Sequence, residues 1–384
     1  MRASLFSSAL VAALVGYGST IALVLSAAAA LGATPAQTAS WIFTICMAKA
    51  VGSAVLSAWA RVPIVLAWST PGAALIAATT GITMAEAVAA FVAVGVMVAL
   101  TGLVRPLGAL VARIPDAIAG AMLAGVLLPF CVKAAGTAQA LPVVVLPMIA
   151  VFLAVRLRNP ALAVLAAFGA GLVVAFVLGL AHLPKLSLPL PAPGFIAPAF
   201  RGQVMLGLAV PLYLVTMASQ NLPGFATLRA AGYTPPVRLA LTGTGLISAV
   251  AGLFGAHTVS MAAITAAICL SDETHPDRAQ RWKVGLVCGG VWAVLGVLGP
   301  LLLALLGALP PNLMLALVAL ALLGPLVGAL SGAYLPPDTR FAATVTLTVT
   351  GSGVAVLGVG AAFWGLLAGL AVHGLERAVA RMRA

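Results

Sequence analysis

The chain has 384 residues, of which 63% are hydrophobic and only 7% charged, with a mean hydropathy of +1.20. A soluble fold is excluded, because too little polar surface exists to cover one and the apolar segments leave no room for a soluble domain. The net charge of +12 does not point to nucleic acid, since the basic residues stand singly between apolar segments instead of clustering on one face, and they read as topology signals.

A transmembrane helix needs roughly 20 apolar residues. Breaks at Pro, Gly and charge place about fourteen spans in chain order, at 4–30, 39–60, 64–80, 84–104, 116–136, 140–157, 160–181, 203–221, 237–253, 255–270, 283–307, 312–333, 339–358 and 361–378. The predicted class is an all-α polytopic membrane protein. The first segment runs on to about Ala30 with no cleavage site after a short core, so it is expected to remain as span 1. Cys46, Cys131, Cys269 and Cys288 have no metal-ligand spacing and no extramembrane domain to staple, so they read as core residues, and neither a metal nor a cofactor is expected.

The basic residues test this layout. Fifteen of the 19 Lys and Arg fall on one side, from Arg2 and Arg61 through Arg278, Arg281 and Lys283 to Arg383, whereas Lys133, Lys185 and Arg201 fall on the other and Lys49 lies inside span 2. That asymmetry predicts a multi-pass bacterial inner-membrane protein with both termini cytoplasmic.

The halves echo each other. Gly32-Ala33-Thr34-Pro35 recurs as Gly232-Tyr233-Thr234-Pro235, and Ser19 in span 1 falls opposite Ser219 in span 8. An offset of seven spans inverts the second copy, so the expected organisation is a seven-plus-seven inverted repeat, 1–185 and 200–384.

Spans 3 and 10 are interrupted. In span 3 the β-prone run Ile64 to Ser69 precedes Thr70-Pro71-Gly72-Ala73, where Pro71 suits the first turn of a helix and Ser69 or Thr70 its cap. Six extended residues cover about 20 Å and eleven helical ones about 16 Å, enough together for a hydrocarbon core of about 30 Å. Span 10 follows the same plan, with Gly255 to Ser260 short and polar, Ser260 as the expected cap, and Met261 to Leu270 as the expected half-helix. Non-helical backbone at membrane depth is tolerated only where protein or a wet cavity satisfies it, so two matching breaks point to a site. Two helix N-termini there would attract a small anion such as a carboxylate.

At these residues a resemblance enters. Ala67-Trp68-Ser69-Thr70-Pro71-Gly72-Ala73-Ala74, Arg113-Ile114-Pro115 with Ala121 to Leu128, Thr216 to Gly224, His257 with Ala262 to Cys269, and Glu273-Thr274-His275-Pro276-Asp277 with Arg281-Trp282 resemble the benzoate:proton symporter family over essentially the whole chain. The resemblance implies a distant kinship with uracil/xanthine and sulfate permeases. It also implies a core domain (1–104 with 203–307) that carries the site, a gate domain (113–182 with 312–378), and an aromatic carboxylate taken up with a proton. Two residues depart from the family's pattern: Ser260 stands where Asn is common, and Lys49 is not expected in span 2.

The candidate substrate-binding residues are Tyr17, Ser19, Ser69, Thr70, Pro71, Gly72, Ser219, Gln220, Asn221, Ser260, Met261 and Ala262. Ser69 to Ala73 and Ser260 to Ala263 would offer backbone amides. Ser219-Gln220-Asn221, taken to end span 8 before Pro223-Gly224, either line the ligand or satisfy backbone freed by the break. Tyr17 can stack on an aromatic ring or simply fill the core. Lys49 is a candidate charge partner for the carboxylate, or a lysine that snorkels or deprotonates in a protein-lined crevice. For the coupled proton the candidates are His257, the substrate's own carboxylate and Glu273, the last in an Asp272–Asp277 loop expected to pair with Arg278 and Arg281.

The expected function is therefore proton-coupled import of benzoate or a similar aromatic carboxylate by alternating access, with the bilayer as surroundings and a homodimer left open. A nucleobase or inorganic-anion carrier of the same fold and a passive anion channel are the rivals. No nucleophile–base pair or HExxH helix suggests an enzyme.

Overall fold

Capping boxes fix two helix starts in the first half. The Thr34 side chain accepts from the Gln37 amide at 3.2 Å while Gln37 Oε1 accepts from the Thr34 amide at 2.9 Å, and Thr83 with Glu86 repeats the arrangement. The computed structural model describes residues 2–104, 114–160, 162–181, 191–262 and 264–383. Over these the first half contains α1 (Ala3–Ala30), α2 (Pro35–Ala60), β1 (Leu66–Trp68), α3 (Thr70–Ala77), α4 (Met84–Leu103), α5 (Asp116–Ala140), α6 (Pro142–Arg156) and α7 (Ala163–Val177). The second contains α8 (Gly202–Ala230), α9 (Val237–Gly252), β2 (Val259–Met261), α10 (Ile264–Leu270), α11 (Lys283–Val297), α12 (Gly299–Gly307), α13 (Pro311–Tyr334), α14 (Arg340–Gly351) and α15 (Ala361–Arg383). Arg105, Arg113, His182, Lys185 and Ala263 lie outside the described residues, as does the side chain of Ser19.

Among the described residues, α1, α2, α4, α5, α8 and α13 are each long and apolar enough to cross a membrane, and the chain is a multi-pass membrane protein. Glycines let its helices approach closely. On α4 and α9 the contact is reciprocal: a Cβ at Gly95 would collide with the Ala249 amide nitrogen, and one at Gly245 with that of Ala99. A Cβ at Gly120 on α5 would sit 2.9 Å from the Ala329 carbonyl on α13, and one at Gly289 on α11 would sit 2.8 Å from the Ala50 carbonyl on α2.

The interrupted spans meet. β1 and β2 form a two-stranded antiparallel ribbon with Leu66 opposite Met261, Ala67 opposite Ser260 and Trp68 opposite Val259. Two further bonds extend it, from the Ser69 amide to the Thr258 carbonyl at 3.0 Å and from the Ala262 amide to the Val65 carbonyl at 2.9 Å. Each strand thus finds in the other the partners that lipid cannot give.

Several expected boundaries need correction. The second half-helix is described from Ile264 and does not start at Met261, and Ser260 does not cap it, because Met261 and Ala262 are held in the ribbon. Span 8 does not end at Asn221 but continues to Ala230. Two π-turns, Met205–Ala209 and Met217–Asn221, precede Pro211 and Pro223 and widen the coil where a proline ring needs room and offers no N–H. Span 11 is bent by 56° between α11 and α12, at the turn that contains Pro300. Span 13 is helical only to Gly351. Left-handed backbone at Gly353 (φ +68), Leu357 (φ 53) and Gly358 (φ +75) folds the following residues back on themselves.

Candidate functional site

A polar stripe on α2 builds the site's first wall. Ser57, Ser53 and Lys49 recur every four residues, about 6 Å of helix rise, close to the advance of about 6.6 Å for two residues of strand. Ser57 Oγ accepts from the Ile64 amide at 2.9 Å and donates to the Ile64 carbonyl at 3.0 Å, and Ser53 Oγ accepts from the Leu66 amide at 3.1 Å. Lys49 then falls level with Trp68. In the second half, Ser248 on α9 serves Val259 likewise, accepting at 3.0 Å and donating at 3.2 Å.

Lys49 is 1% exposed. Its Nζ lies 3.5 Å from the ring centroid of Trp68 and 2.9 Å from that of Trp292 on α11, a two-walled cation–π cage. The indoles are 5.6 Å apart at 61°, and Trp68 Nε1 donates to Thr20 Oγ1 at 2.7 Å, which fixes that ring. Tyr17 packs beside both, with centroid distances of 5.8 and 6.4 Å, and its buried hydroxyl has no hydrogen-bond partner among the described residues.

Ser69 caps α3 as expected, accepting from the Gly72 amide at 3.1 Å. It also accepts from the Thr216 hydroxyl at 3.1 Å, and Thr216 in turn meets the Thr258 hydroxyl at 3.1 Å, so α8 is tied to both broken spans. Asn221 does the same for the second break, its Oδ1 accepting from the Met261 amide at 3.0 Å. Ser260 Oγ points back to the Ala67 carbonyl at 3.5 Å.

These elements border a cavity of about 860 Å³. On the ribbon side it is lined by Lys49, Trp68, Thr70, Pro71, Ser219 and Gln220, and on the far side by Asp116, Phe152 and Arg156 of α5 and α6 and by Gly324 and Gly328 of α13. Of the residues expected at a site, Lys49, Thr70, Pro71, Ser219, Gln220 and Ala262 reach this cavity. Tyr17, Ser69, Gly72, Asn221, Ser260 and Met261 are not among its lining residues and support it from behind.

His257 also lies off the lining, buried beyond the ribbon. Its Nδ1 accepts from Trp41 Nε1 at 2.9 Å, which leaves the ring proton on a buried Nε2 near the Ser69 backbone. Glu273 is exposed in the loop after α10. In that loop Arg281 pairs with Asp272 and donates to the carbonyls of Leu270 at 2.8 Å and His275 at 2.6 Å. The expected acidic partner for Arg278 is replaced by the Tyr233 ring, 4.4 Å from its guanidinium carbon.

Trp292 was not legible as a site residue. Its signal was available, since a tryptophan within the apolar run of α11 stands apart from the interfacial belt where tryptophan is usual. What the sequence could not show is that it would share one ammonium with Trp68.

The model of the benzoate membrane transport protein family matches residues 1–375. The chain belongs to this family. Among its relatives, the inner membrane protein YdcO of Escherichia coli (strain K12) is 40% identical over 359 residues, 93% of this chain and 92% of that protein. The benzoate membrane transport protein of Acinetobacter baylyi (strain ATCC 33305 / BD413 / ADP1) is 32% identical over 363 residues, 94% of this chain and 92% of that protein. Members of the benzoate transport family so named are membrane and transport proteins, not enzymes. The fold recurs among solved structures. The transmembrane domain of the cyanobacterial bicarbonate transporter BicA gives a TM-score of 0.60 at 16% identity, covering 96% of this chain and 98% of that one. SLC26A9 gives 0.66 at 12% identity, covering 96% of this chain and 65% of that one.

Proposed function

We propose that the protein is a secondary active transporter that imports benzoate or a similar aromatic carboxylate together with a proton, by alternating access. The observation that carries the reading is that both interrupted spans, one from each half of the chain, adjoin a single cavity that is apolar except for a few polar groups. The name of the Acinetobacter relative supports the substrate.

The same reading takes the chain as fourteen spans in two inverted sevens, 1–185 and 200–384, with both termini cytoplasmic. Three pairs of facts support it. The echoed turns behave alike, with Gly32 and Gly232 at φ +64 and +78 just after α1 and α8. Ser53 and Ser248 make matching bonds to the two strands. α2 packs on α11 as α9 packs on α4, the pairing that seven-plus-seven equivalence requires. The core is then 1–104 with 203–307 and the gate 113–182 with 312–378, and the cavity lies along their boundary. With cytoplasmic termini, Asp116 and Arg156 mark its cytoplasmic end.

Within the core, Thr70 and Pro71 open α3 toward the cavity and Ser219 and Gln220 flank it, a polar end for a carboxylate against apolar walls for a ring. For the coupled proton the reading favours His257, buried beside the ribbon with its Nδ1 held by Trp41, over the exposed Glu273. Uptake of radiolabelled benzoate into proteoliposomes, with and without an inward proton gradient, tests the proposal, and accumulation driven by the gradient is expected. Competition by unlabelled bicarbonate, sulfate or uracil in place of benzoate would favour a nucleobase or inorganic-anion carrier, and flux without accumulation would favour a channel.

A further inference from the structure

Five of the described amides near the breaks are consumed by the protein itself. Those of Ser69, Gly72 and Ala73 bond to Thr258, Ser69 Oγ and the Ser69 carbonyl, Pro71 has none, and those of Met261 and Ala262 bond to Asn221 and Val65. Among the described residues the second half-helix, α10, has 7 residues. With these amides committed, a further source of positive charge would strengthen the hold on a carboxylate entering the cavity.

Lys49 has the position for it. The stripe that leads to it already satisfies the strand through Ser57 and Ser53, and among the described residues its ammonium has no carboxylate partner, lying against the faces of Trp68 and Trp292 with the Cys46 thiol within electrostatic reach. Nothing in the packing of the break requires a charge there. One turn before Ser248, where α9 repeats the stripe, stands Thr244, a neutral residue whose hydroxyl donates to its own helix at Ala240. A buried charge without an anion is costly unless one arrives. The cage walls are fixed, Trp68 by Thr20 and by the ribbon, whereas lysine has a flexible four-carbon stem. Arg156, the other cation on the lining, shares its wall with Asp116.

We propose that Lys49 is the counter-charge for the substrate carboxylate and that Trp68 and Trp292 hold its ammonium in reserve. On binding, the ammonium leaves the indoles for the carboxylate, and the substrate's ring takes up the vacated indole faces. This exchange makes both features, the negative charge and the aromatic ring, necessary for tight binding, and it rests on the aromatic-carboxylate reading above.

The test uses the full chain in liposomes. Lys49→Met is expected to lower benzoate affinity at least tenfold while leaving the affinity for the uncharged benzamide unchanged or higher, and Lys49→Arg to restore part of the benzoate affinity. Benzoate should shift tryptophan emission in the wild type and not in Lys49→Met. Wild-type chain supplies a readout free of folding effects: amine-reactive labelling followed by peptide mass spectrometry should show Lys49 protected by benzoate and not by sulfate. Benzoate affinity of Lys49→Met within twofold of wild type, or labelling of Lys49 indifferent to benzoate, overturns the proposal. Wild-type protein that binds no benzoate at all defeats the substrate reading, and this inference with it.

Discussion

Ala67 and Ser260 face each other at the centre of the ribbon, and the Ser260 hydroxyl points at the Ala67 carbonyl from 3.5 Å. Both interrupted spans converge on this pair, so small side chains here are a condition of the fold. Ser260→Leu puts four carbons where the native side chain is completely buried and should abolish uptake while leaving membrane insertion intact. Uptake assays alongside immunoblots of the membrane fraction check it, and wild-type transport would refute the arrangement.

Asn221 separates a structural role from ligand binding. Its Oδ1 holds the Met261 amide at 3.0 Å, so Asn221→Ala leaves a buried donor unmet, at a cost of about 1–3 kcal/mol. Asn221→Asp keeps the acceptor and should retain more stability in thermal unfolding than the alanine variant. Equal melting temperatures for the two would show that this bond carries no weight.

Ser69 caps α3 and accepts from Thr216. Ser69→Ala should cost about 1 kcal/mol from the cap and also leave the Thr216 hydroxyl short of a partner. A lowered unfolding temperature with reduced uptake is expected, and Ser69→Thr should recover part of both. An unchanged thermogram for the alanine variant would contradict the capping argument.

Two glycines of similar appearance should respond oppositely. A Cβ on Gly95 collides with Ala249 backbone, whereas one on Gly328 meets nothing within 4 Å because the residue faces the cavity. Gly95→Ala is expected to destabilise by about 1–3 kcal/mol, and Gly328→Leu to fold normally but occlude the cavity and lose transport. Size-exclusion profiles and uptake, measured in parallel, distinguish the two effects.

His257 makes the coupling testable. His257→Gln retains a polar group beside Trp41 Nε1 but cannot take up a proton near neutral pH. Stimulation of uptake by an inward proton gradient should disappear while benzoate exchange across the membrane continues. Gradient-driven accumulation by this variant would remove His257 from the coupling step.

Much of this protein is written in composition and local pattern. Long apolar runs bounded by Thr34-Pro35 and Thr83 determine α1, α2 and α4, since a lipid-embedded backbone must satisfy itself helically and capping residues say where that begins. Ser69-Thr70-Pro71 likewise announces a mid-membrane helix start, because proline at the first turn needs no hydrogen-bond partner. In the second half the local signals mislead. Ser260 has the chemistry of a cap but is pulled into a strand by Ala67, and Pro223 looks like a terminator but is accommodated by the π-turn before it. Which amides stay open, and that one ammonium lies between indoles from residues 68 and 292, depend on contacts between segments more than two hundred residues apart. Hydropathy and caps act within a turn or two of helix, whereas the charge balance of a cavity is set by whichever distant side chains packing brings to it, and that only the tertiary structure decides.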